Sequence, residues 1–289
     1  MSNPSLRGDV DTSTARTFAA RTRHHGAPLR RGFLMRLDGE RSPVETLMNA
    51  SRGVGGGRGG RTRLAVLLTA LWVNSGGDYS STRPARWWAE MIGEPDPVAA
   101  ARKITTTLRE LNRRGFLVLT EGAGGVPATV TLLDERGSGE PYTRPDGTTG
   151  AYFRIPEQLW TTGLIARLSG PGLVMYLATL YYHHRNDQGV APPVWFVGKS
   201  FHERHGLSED TRLDGLRNLE DNGAVYVDTI SIDNTGNRGQ RTYSRRLFTL
   251  LPAYEPPRPE SLPPADDADS QSSTRSGGAG PPRERRTAF

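Results

Sequence analysis

The sequence contains no cysteine, only two lysines and no long apolar run. Without cysteine, disulfides, thiolate zinc sites, iron–sulfur clusters and cysteine nucleophiles are excluded. No stretch approaches the roughly 20 apolar residues that cross a bilayer. Residues 1–17 also lack the apolar core of a secretory signal. These absences predict a cytoplasmic protein with no membrane partner.

Positive charge is concentrated near the N-terminus. The chain has a net charge of +6, and residues 1–63 contain 12 arginines against five acidic residues. Residues 1–60 show no sustained apolar periodicity and end in the glycine-rich run Arg52–Gly60. A segment of this kind buries too little surface to offset its chain entropy, so we predict a disordered basic arm over 1–60.

Two further segments have the composition of a linker and a tail. Residues 134–150 are full of helix and strand breakers, and residues 254–289 are rich in Pro, Ser and Gly. We predict a linker over 134–150 and a disordered tail over 254–289. This division leaves two structured domains, 61–133 and 151–253.

The same order of elements is predicted in both domains. Apolar side chains recur at steps of three and four, which indicates helices, and short apolar runs flanked by glycine indicate strands. In the first domain the predicted helices are 61–74, 83–92 and 97–114, and the strands are 116–119 and 129–133. In the second domain the main helices are 172–183, 199–205 and 208–222, and the strands are 224–228 and 242–250, joined by a polar tip over 233–241.

Helix ends support these assignments. Asp96 followed by Pro97 is typical of an N-cap with proline in the first turn, and Ser208 is a second N-cap candidate. Gly115 and Gly223 each follow a predicted helix, where a left-handed residue ends it. Three helices followed by a hairpin is the order of a winged helix-turn-helix.

Two motifs resemble the end of a winged-helix recognition helix running into its first strand. The first is Ile104-x3-Leu108-x2-Leu111-x3-Gly115-Phe116-Leu117. The second, which includes the preceding helix and turn, is Phe201-His-Glu-Arg-His-Gly206-Leu207-Ser208-x2-Thr211 followed by Leu216-x2-Leu219-x3-Gly223-Ala224-Val225. It has Arg212 at a place usually given to an apolar residue. The tandem arrangement is similar to that of many plasmid replication initiators and some actinobacterial regulators. It implies an α+β fold with two tandem winged-helix domains, each of three helices and a β-hairpin wing.

This resemblance implies sequence-specific binding of double-stranded DNA by a transcriptional regulator or plasmid replication initiator, as a homodimer. The helix over 97–114 carries five basic side chains against Glu110 alone, which suits a helix that enters the major groove. The predicted DNA-binding residues, two of them on the second wing, are Arg102, Lys103, Thr105, Thr106, Arg109, Arg113, Arg114, Arg238 and Arg241.

Two roles stay open at this stage. The helix over 208–222 has five acidic residues against two arginines, whereas its wing carries Arg238, Arg241, Arg245 and Arg246. The second unit therefore binds DNA through its wing or serves dimerisation, with Tyr176, Tyr181 and Tyr182 as interface or core residues. The arginine arm either follows DNA phosphates and the minor groove or is a solubilising tail.

The alternative function is a winged-helix module for protein–protein contacts with only non-specific DNA affinity. Catalysis is not expected, because the sequence has no Gly-x-Ser-x-Gly element and no convincing carboxylate pair. The stretch from His202 to His205 falls short of the H-E-x-x-H zinc spacing. We therefore predict no metal site and no cofactor.

Overall fold

The computed structural model describes residues 10–23, 25–37, 39–49, 59–148, 150–186, 189–236 and 239–257, with side chains at 233–236 and 239–241 left out. It is an α+β structure. The helices are α1 (Ser13–Arg21), α2 (Pro43–Met48), α3 (Gly60–Asn74), α4 (Ala85–Met91), α5 (Pro97–Arg113), α6 (Gln158–Thr161), α7 (Leu164–Arg167), α8 (Gly170–Tyr182), α9 (Gly198–His205) and α10 (Glu209–Asp221). The strands are β1 (Ala27–Arg30), β2 (Ser80–Thr82), β3 (Leu117–Thr120), β4 (Thr129–Leu132), β5 (Tyr152–Ile155), β6 (Val225–Gly236) and β7 (Gly239–Leu250). Within the described ranges, no helix is both long and apolar enough to cross a bilayer.

The first half of the chain contains the predicted three helices and hairpin, together with one strand that was not predicted. Helices α3, α4 and α5 pack together, and an antiparallel sheet follows in the order β2-β4-β3. The unpredicted β2 pairs Ser80 with Thr131 at one edge of this sheet. Because β2 precedes α4 and pairs with β4, the sheet connects the segment before α4 to β4.

Helix α5 is fixed at both ends by local chemistry. The Asp96 carboxylate accepts a hydrogen bond from the Ala99 N–H at 3.0 Å, which satisfies one of the free donors of the first turn. Gly115 follows the helix with a φ of +76°, a left-handed conformation in which glycine costs least. Between these ends, the buried side chains Ile104, Leu108 and Leu111 hold one face of the helix in the core.

We expect Asp96→Ala to lower the free energy of unfolding by about 1 kcal/mol, because the capping acceptor is lost. The matched variant Asp96→Asn keeps a side-chain oxygen and should retain most of the stability. Urea titration of the three proteins measures this difference. Equal midpoints for the alanine variant and the wild type would show that the cap contributes nothing.

The second half repeats the helix order, with a longer hairpin than expected. The Ser208 hydroxyl accepts from the Thr211 N–H at 3.2 Å, as its N-cap assignment predicted. Strands β6 and β7 remain paired as far as Gly236 and Gly239. The expectation of a polar tip over 233–241 is therefore wrong for the backbone, because the two strands stay paired up to those two glycines.

The prediction of a disordered arm over 1–60 is wrong for residues 10–49, apart from the undescribed 24 and 38. This segment contributes α1, β1, a 3₁₀ turn at Arg31–Leu34 and α2. Strand β1 pairs antiparallel with β5, so that Leu29 lies opposite Phe153. Residues 10–49 contain too few apolar side chains to give a periodic signal. Those side chains are nevertheless buried, because they pack against apolar surface from the rest of the chain. Residues 1–9 and 50–58 lie outside the described ranges.

The expected linker and the start of the expected tail are also packed. In the segment 134–150, Glu135 and Tyr142 are buried, and Leu133 bridges to Pro141. At the other end, Tyr254 is buried, and its carbonyl accepts from the Tyr176 hydroxyl at 3.0 Å. The glycines and prolines of these segments form turns, but the segments still pack against the core. The remaining tail, 258–289, lies outside the described ranges.

The two halves share one continuous hydrophobic core. Trp72 of α3 stacks on Trp160 of α6, with ring centroids 4.6 Å apart, and the Trp160 indole donates to the Thr69 hydroxyl at 2.9 Å. The Arg61 guanidinium, at the start of α3, donates to the carbonyls of Ile165, Ala166 and Leu168 around α7. The predicted boundary at 134–150 therefore does not separate two independent cores.

Candidate nucleic-acid interface

Helix α5 presents a basic face to solvent. Residues three and four positions apart lie on one side of a helix, and this spacing places Arg102, Thr105, Thr106, Arg109 and Arg113 together, opposite the buried side of the helix. Arg102, Thr106, Arg109 and Arg113 are exposed, and Thr105 is half-buried. Five of the residues predicted from sequence thus form one surface.

The guanidinium groups on this face differ in how firmly they are held. Arg102 has no side-chain ion pair or hydrogen bond to any described residue. Arg109 pairs with Glu121 of the β3–β4 loop at 2.9 Å, and both side chains are exposed; such a pair contributes about 0–1 kcal/mol, so an incoming phosphate or base can displace Glu121. Arg113 donates to both oxygens of the half-buried Glu110 and is held more firmly.

The two threonines leave room for close approach. The Thr105 hydroxyl donates to the Ala101 carbonyl and the Thr106 hydroxyl to the Arg102 carbonyl, both at 3.0 Å. A hydroxyl that donates one hydrogen bond can still accept others. The surface between the arginines is therefore formed by short, polar side chains.

Lys103 and Arg114 lie off this face and have other roles. The Lys103 ammonium contacts Glu94, in the turn between α4 and α5, at 2.7 Å. The Arg114 side chain is only 9% exposed; it pairs with Glu110 at 2.6 Å and donates to the Thr46 carbonyl at the end of α2. The assignment of Arg114 to a DNA surface is therefore corrected: it holds α5 against α2. Lys103 is exposed but lies about a quarter turn away from Arg102, at about 100° per residue.

The second-wing candidates cannot be placed on this surface. Arg238 lies outside the described residues. Arg241 lies in β7 opposite Asn234, and the structure describes its backbone only.

Sequence reasoning missed two arginines at the start of α4. The Arg83 guanidinium lies over the Trp87 ring at 5.1 Å, and the Arg86 side chain pairs with Glu90 at 2.8 Å. Both side chains are exposed. The available signal was Arg83 just before α4 and Arg86 in its first turn, on the helix that precedes α5.

Comparison with known proteins adds no family to this geometry. No protein-family model, no curated protein and no solved structure matches the chain.

The corresponding helix of the second half has an acidic outer surface. In α10, Arg217 pairs with Asp214 at 3.7 Å, and the Arg246 guanidinium from β7 pairs with Glu220 at 2.6 Å. Arg212, the residue that departs from the motif, donates to the Phe196 carbonyl at 3.2 Å. The arginines of α10 thus face its own carboxylates or the backbone, and the helix offers little attraction for phosphate.

Several arginines near the N-terminus serve the interior, whereas Arg16, Arg21, Arg23 and Arg41 are exposed. The Arg30 guanidinium pairs with Glu135 at 2.7 Å, and their side chains are 3% and 0% exposed. The Arg36 guanidinium donates to Glu45, and that of Arg63 donates to the Leu47 carbonyl. Burial lowers the pKa of the Arg61 guanidinium and raises that of the Glu135 carboxyl. A DNA-tracking role therefore does not fit the arginines that serve the interior; Arg7, Arg52 and Arg58 lie outside the described residues.

Proposed function

We propose that the chain contains two tandem winged-helix units and binds double-stranded DNA sequence-specifically through α5. Topology supports the first part: in the first half the order is α3, β2, α4, α5, β3, β4 and the sheet order is β2-β4-β3. A short strand that joins the wing hairpin at its outer edge completes the winged-helix arrangement of three helices and a wing. The second half has α8, α9, α10 and the β6–β7 hairpin in the same sequence.

The observation that carries the DNA-binding proposal is the division of labour among the cations of α5. Arg114 is withdrawn from solvent and holds the helix, and Lys103 contacts Glu94 off this face, whereas Arg102 and Arg109 lie exposed on one face with Thr105 between them. A helix about 10–12 Å across fits a major groove about 12 Å wide. There an arginine can read guanine through two hydrogen bonds or contact a phosphate.

The first wing contributes no positive charge to this surface. Residues 116–133 contain no Lys, Arg or His, and Glu121 near the tip faces Arg109. We therefore assign contacts with the DNA backbone to α5 and to the arginines beside α4. Arg83 and Arg86 are our candidates, since the first helix of a helix-turn-helix crosses the backbone.

Fluorescence anisotropy on DNA fragments that flank the gene tests the proposal. The full chain should bind at least one fragment roughly 10³-fold more tightly than competitor DNA near physiological salt. Footprinting then separates the two biological forms: repeated sites at an origin indicate replication initiation, and a single operator at the gene's own promoter indicates regulation. Weak, equal, salt-sensitive binding to every fragment would contradict the proposal and favour a protein-interaction module.

A further inference from the structure

The β6–β7 hairpin leaves one apolar face uncovered. Side chains alternate across a strand, and paired residues point the same way, so even-numbered residues of β6 share a face with odd-numbered residues of β7. We call this the outer face of the hairpin. Its described apolar members, together with the neighbouring Trp195, are Tyr226, Ile230, Ile232, Tyr243 and Leu247.

The exposure of this face is large for such residues. Tyr226 is 62% exposed, Trp195 50%, Tyr243 43% and Ile230 38%. The opposite face of the same hairpin is packed, since Val225, Phe248 and Leu250 belong to the core. Contiguous exposed apolar surface on a soluble domain marks an interaction site more often than scattered single residues do.

The described charges on the outer face are one acid and one base. The Arg245 guanidinium lies over the rings of Trp195 and Tyr243, at 5.3 and 5.7 Å from their centroids. Asp228 lies in β6, and its carboxylate accepts from the Thr229 N–H at 2.7 Å. Since a carboxylate accepts several hydrogen bonds, it can still receive a guanidinium from another chain.

The apolar composition of this face favours a second copy of the chain over nucleic acid. A nucleic-acid surface needs a surplus of cations to replace the counterions of the phosphates. The described side chains of this face are instead mostly apolar, with Asp228 and Arg245 as their one acid and one base; Arg241, described by its backbone only, lies on the same face near the tip of the hairpin. A two-fold interface needs a patch that complements itself, in which residue i meets residue j and j meets i. An apolar face with one acid and one base at different positions satisfies that condition.

The tyrosines that the sequence offered for an interface are used elsewhere. Tyr176 is fully buried, and Tyr181 is 8% exposed. The Tyr182 hydroxyl is hydrogen-bonded to the His205 ring at 2.8 Å and the residue packs beside the core. Tyr176 and Tyr181 are therefore core residues, and their interface interpretation is wrong; Tyr182 is partly buried at the edge of the core.

We propose that the chain forms a two-fold dimer through the outer face of the hairpin, with each Asp228 facing the partner's Arg245. Trp195, Tyr226 and Tyr243 supply the apolar contact around the two charge pairs. This inference goes beyond DNA binding and does not depend on it, because it concerns the second half of the chain and can be measured without DNA.

A charge swap tests this arrangement by sedimentation equilibrium of the full chain. Asp228→Arg places two arginines against each other at both contacts, and Arg245→Glu does the same with acids. Each variant should raise the dimer dissociation constant at least about tenfold. An equimolar mixture of the two variants should dimerise again, because both contacts of the mixed dimer then join an arginine to an acid.

Arg246→Glu is the matched control. It makes the same charge change at the next residue, which lies on the opposite face beside Phe248, and should leave the dimer constant unchanged. The proposal is overturned by a wild-type chain that stays monomeric at about 100 µM, by swap variants that dimerise like the wild type, or by a mixture that stays monomeric. A monomeric wild type whose binding to a single-stranded oligonucleotide is lost in Arg245→Glu would assign the face to nucleic acid instead.

Discussion

A protein with Arg102 and Arg109 both replaced by alanine is expected to bind its DNA site about 10²-fold more weakly than the wild type, or worse. Each guanidinium that reads a base through two hydrogen bonds contributes about 1–3 kcal/mol of discrimination. Both side chains are exposed. Arg109 forms a surface ion pair with Glu121, and Arg102 forms none with a described residue. The urea midpoint should therefore stay within the range of ordinary surface substitutions, roughly ±0.5 kcal/mol.

The control removes two cations from the second half instead. Lys199→Ala combined with Arg217→Ala takes exposed charges from α9 and α10 and should leave specific affinity nearly unchanged. The salt dependence of binding distinguishes base contacts from phosphate contacts, since each lost phosphate contact reduces the slope by about 1. If the Arg102/Arg109 variant bound its site as tightly as the wild type, α5 would not be the recognition helix.

The second large effect is expected at the buried pair of Arg30 and Glu135. Arg30→Met should lower the free energy of unfolding by about 3–5 kcal/mol, because it leaves a carboxylate buried without its partner. The pair joins β1 to the segment after β4, with Nη1 and Oε2 2.7 Å apart and the Arg30 N–H donating to the same carboxylate at 3.0 Å. Urea titration at neutral pH measures the loss.

The loss should depend on pH in a stated direction. Burial raises the pKa of Glu135 above 4.5, its value in the unfolded chain, and loss of Arg30 raises the folded-state pKa further. The folded variant then holds a proton that the unfolded chain releases. The variant therefore loses stability relative to the wild type as pH rises through the folded-state pKa of Glu135 in the wild type, which lies above 4.5. Below pH 4.5 the carboxyl is neutral in the folded and unfolded states of both proteins, and the difference between variant and wild type should be smallest.

Arg86→Met is the matched control for this prediction. Arg86 pairs with Glu90 at a similar distance, 2.8 Å, but its side chain is 65% exposed. Its substitution should cost less than about 1 kcal/mol, with little change between pH 4 and pH 7. Equal losses for the Arg30 and Arg86 variants would mean that burial of Glu135 has no energetic weight.

Local signals made part of the fold predictable. Helices α5 and α10 follow the caps Asp96 and Ser208, and Gly115 and Gly223 stand just past their ends with positive φ. These features depend on neighbouring residues, so a single sequence reveals them. The basic face of α5 was predictable for the same reason, because spacing alone places Arg102 and Arg109 together.

Elements stabilised by distant partners were not predictable. Strand β2 is Ser-Ser-Thr, without an apolar side chain, and exists through its pairing with β4. Strand β1 is buried, but it contains Pro28 and the charged Arg30, which are unusual in a buried strand. The burial of Arg30 is explained only by its ion pair with the distant Glu135. Helix α1 has little amphipathic signal, and its Phe18 packs edge-on against Trp72, 4.9 Å between ring centroids.

Charge counting failed where arginine has a partner in the interior. Arg114 counts as one more cation of a recognition helix in the sequence, yet its side chain turns towards the carbonyls that end α2. Arg61 likewise counts toward the basic excess of residues 1–63, yet it donates to the carbonyls around α7. Backbone carbonyls carry no sequence signature, so no count of acidic residues could have revealed these partners.

The stacked rings of Trp72 and Trp160 limit how such a protein can be recombined with others. Where the two halves meet, each would expose apolar or unpaired polar groups if it stood alone. Trp72 is covered by Trp160 of the second half, and the Arg61 guanidinium donates to carbonyls around α7. A gene fragment that encodes only residues 61–133 would expose Trp72 and leave the Arg61 guanidinium without these carbonyls in any new host protein. The two halves would therefore have to be inherited, exchanged or grafted together, with the N-terminal strand that pairs with β5.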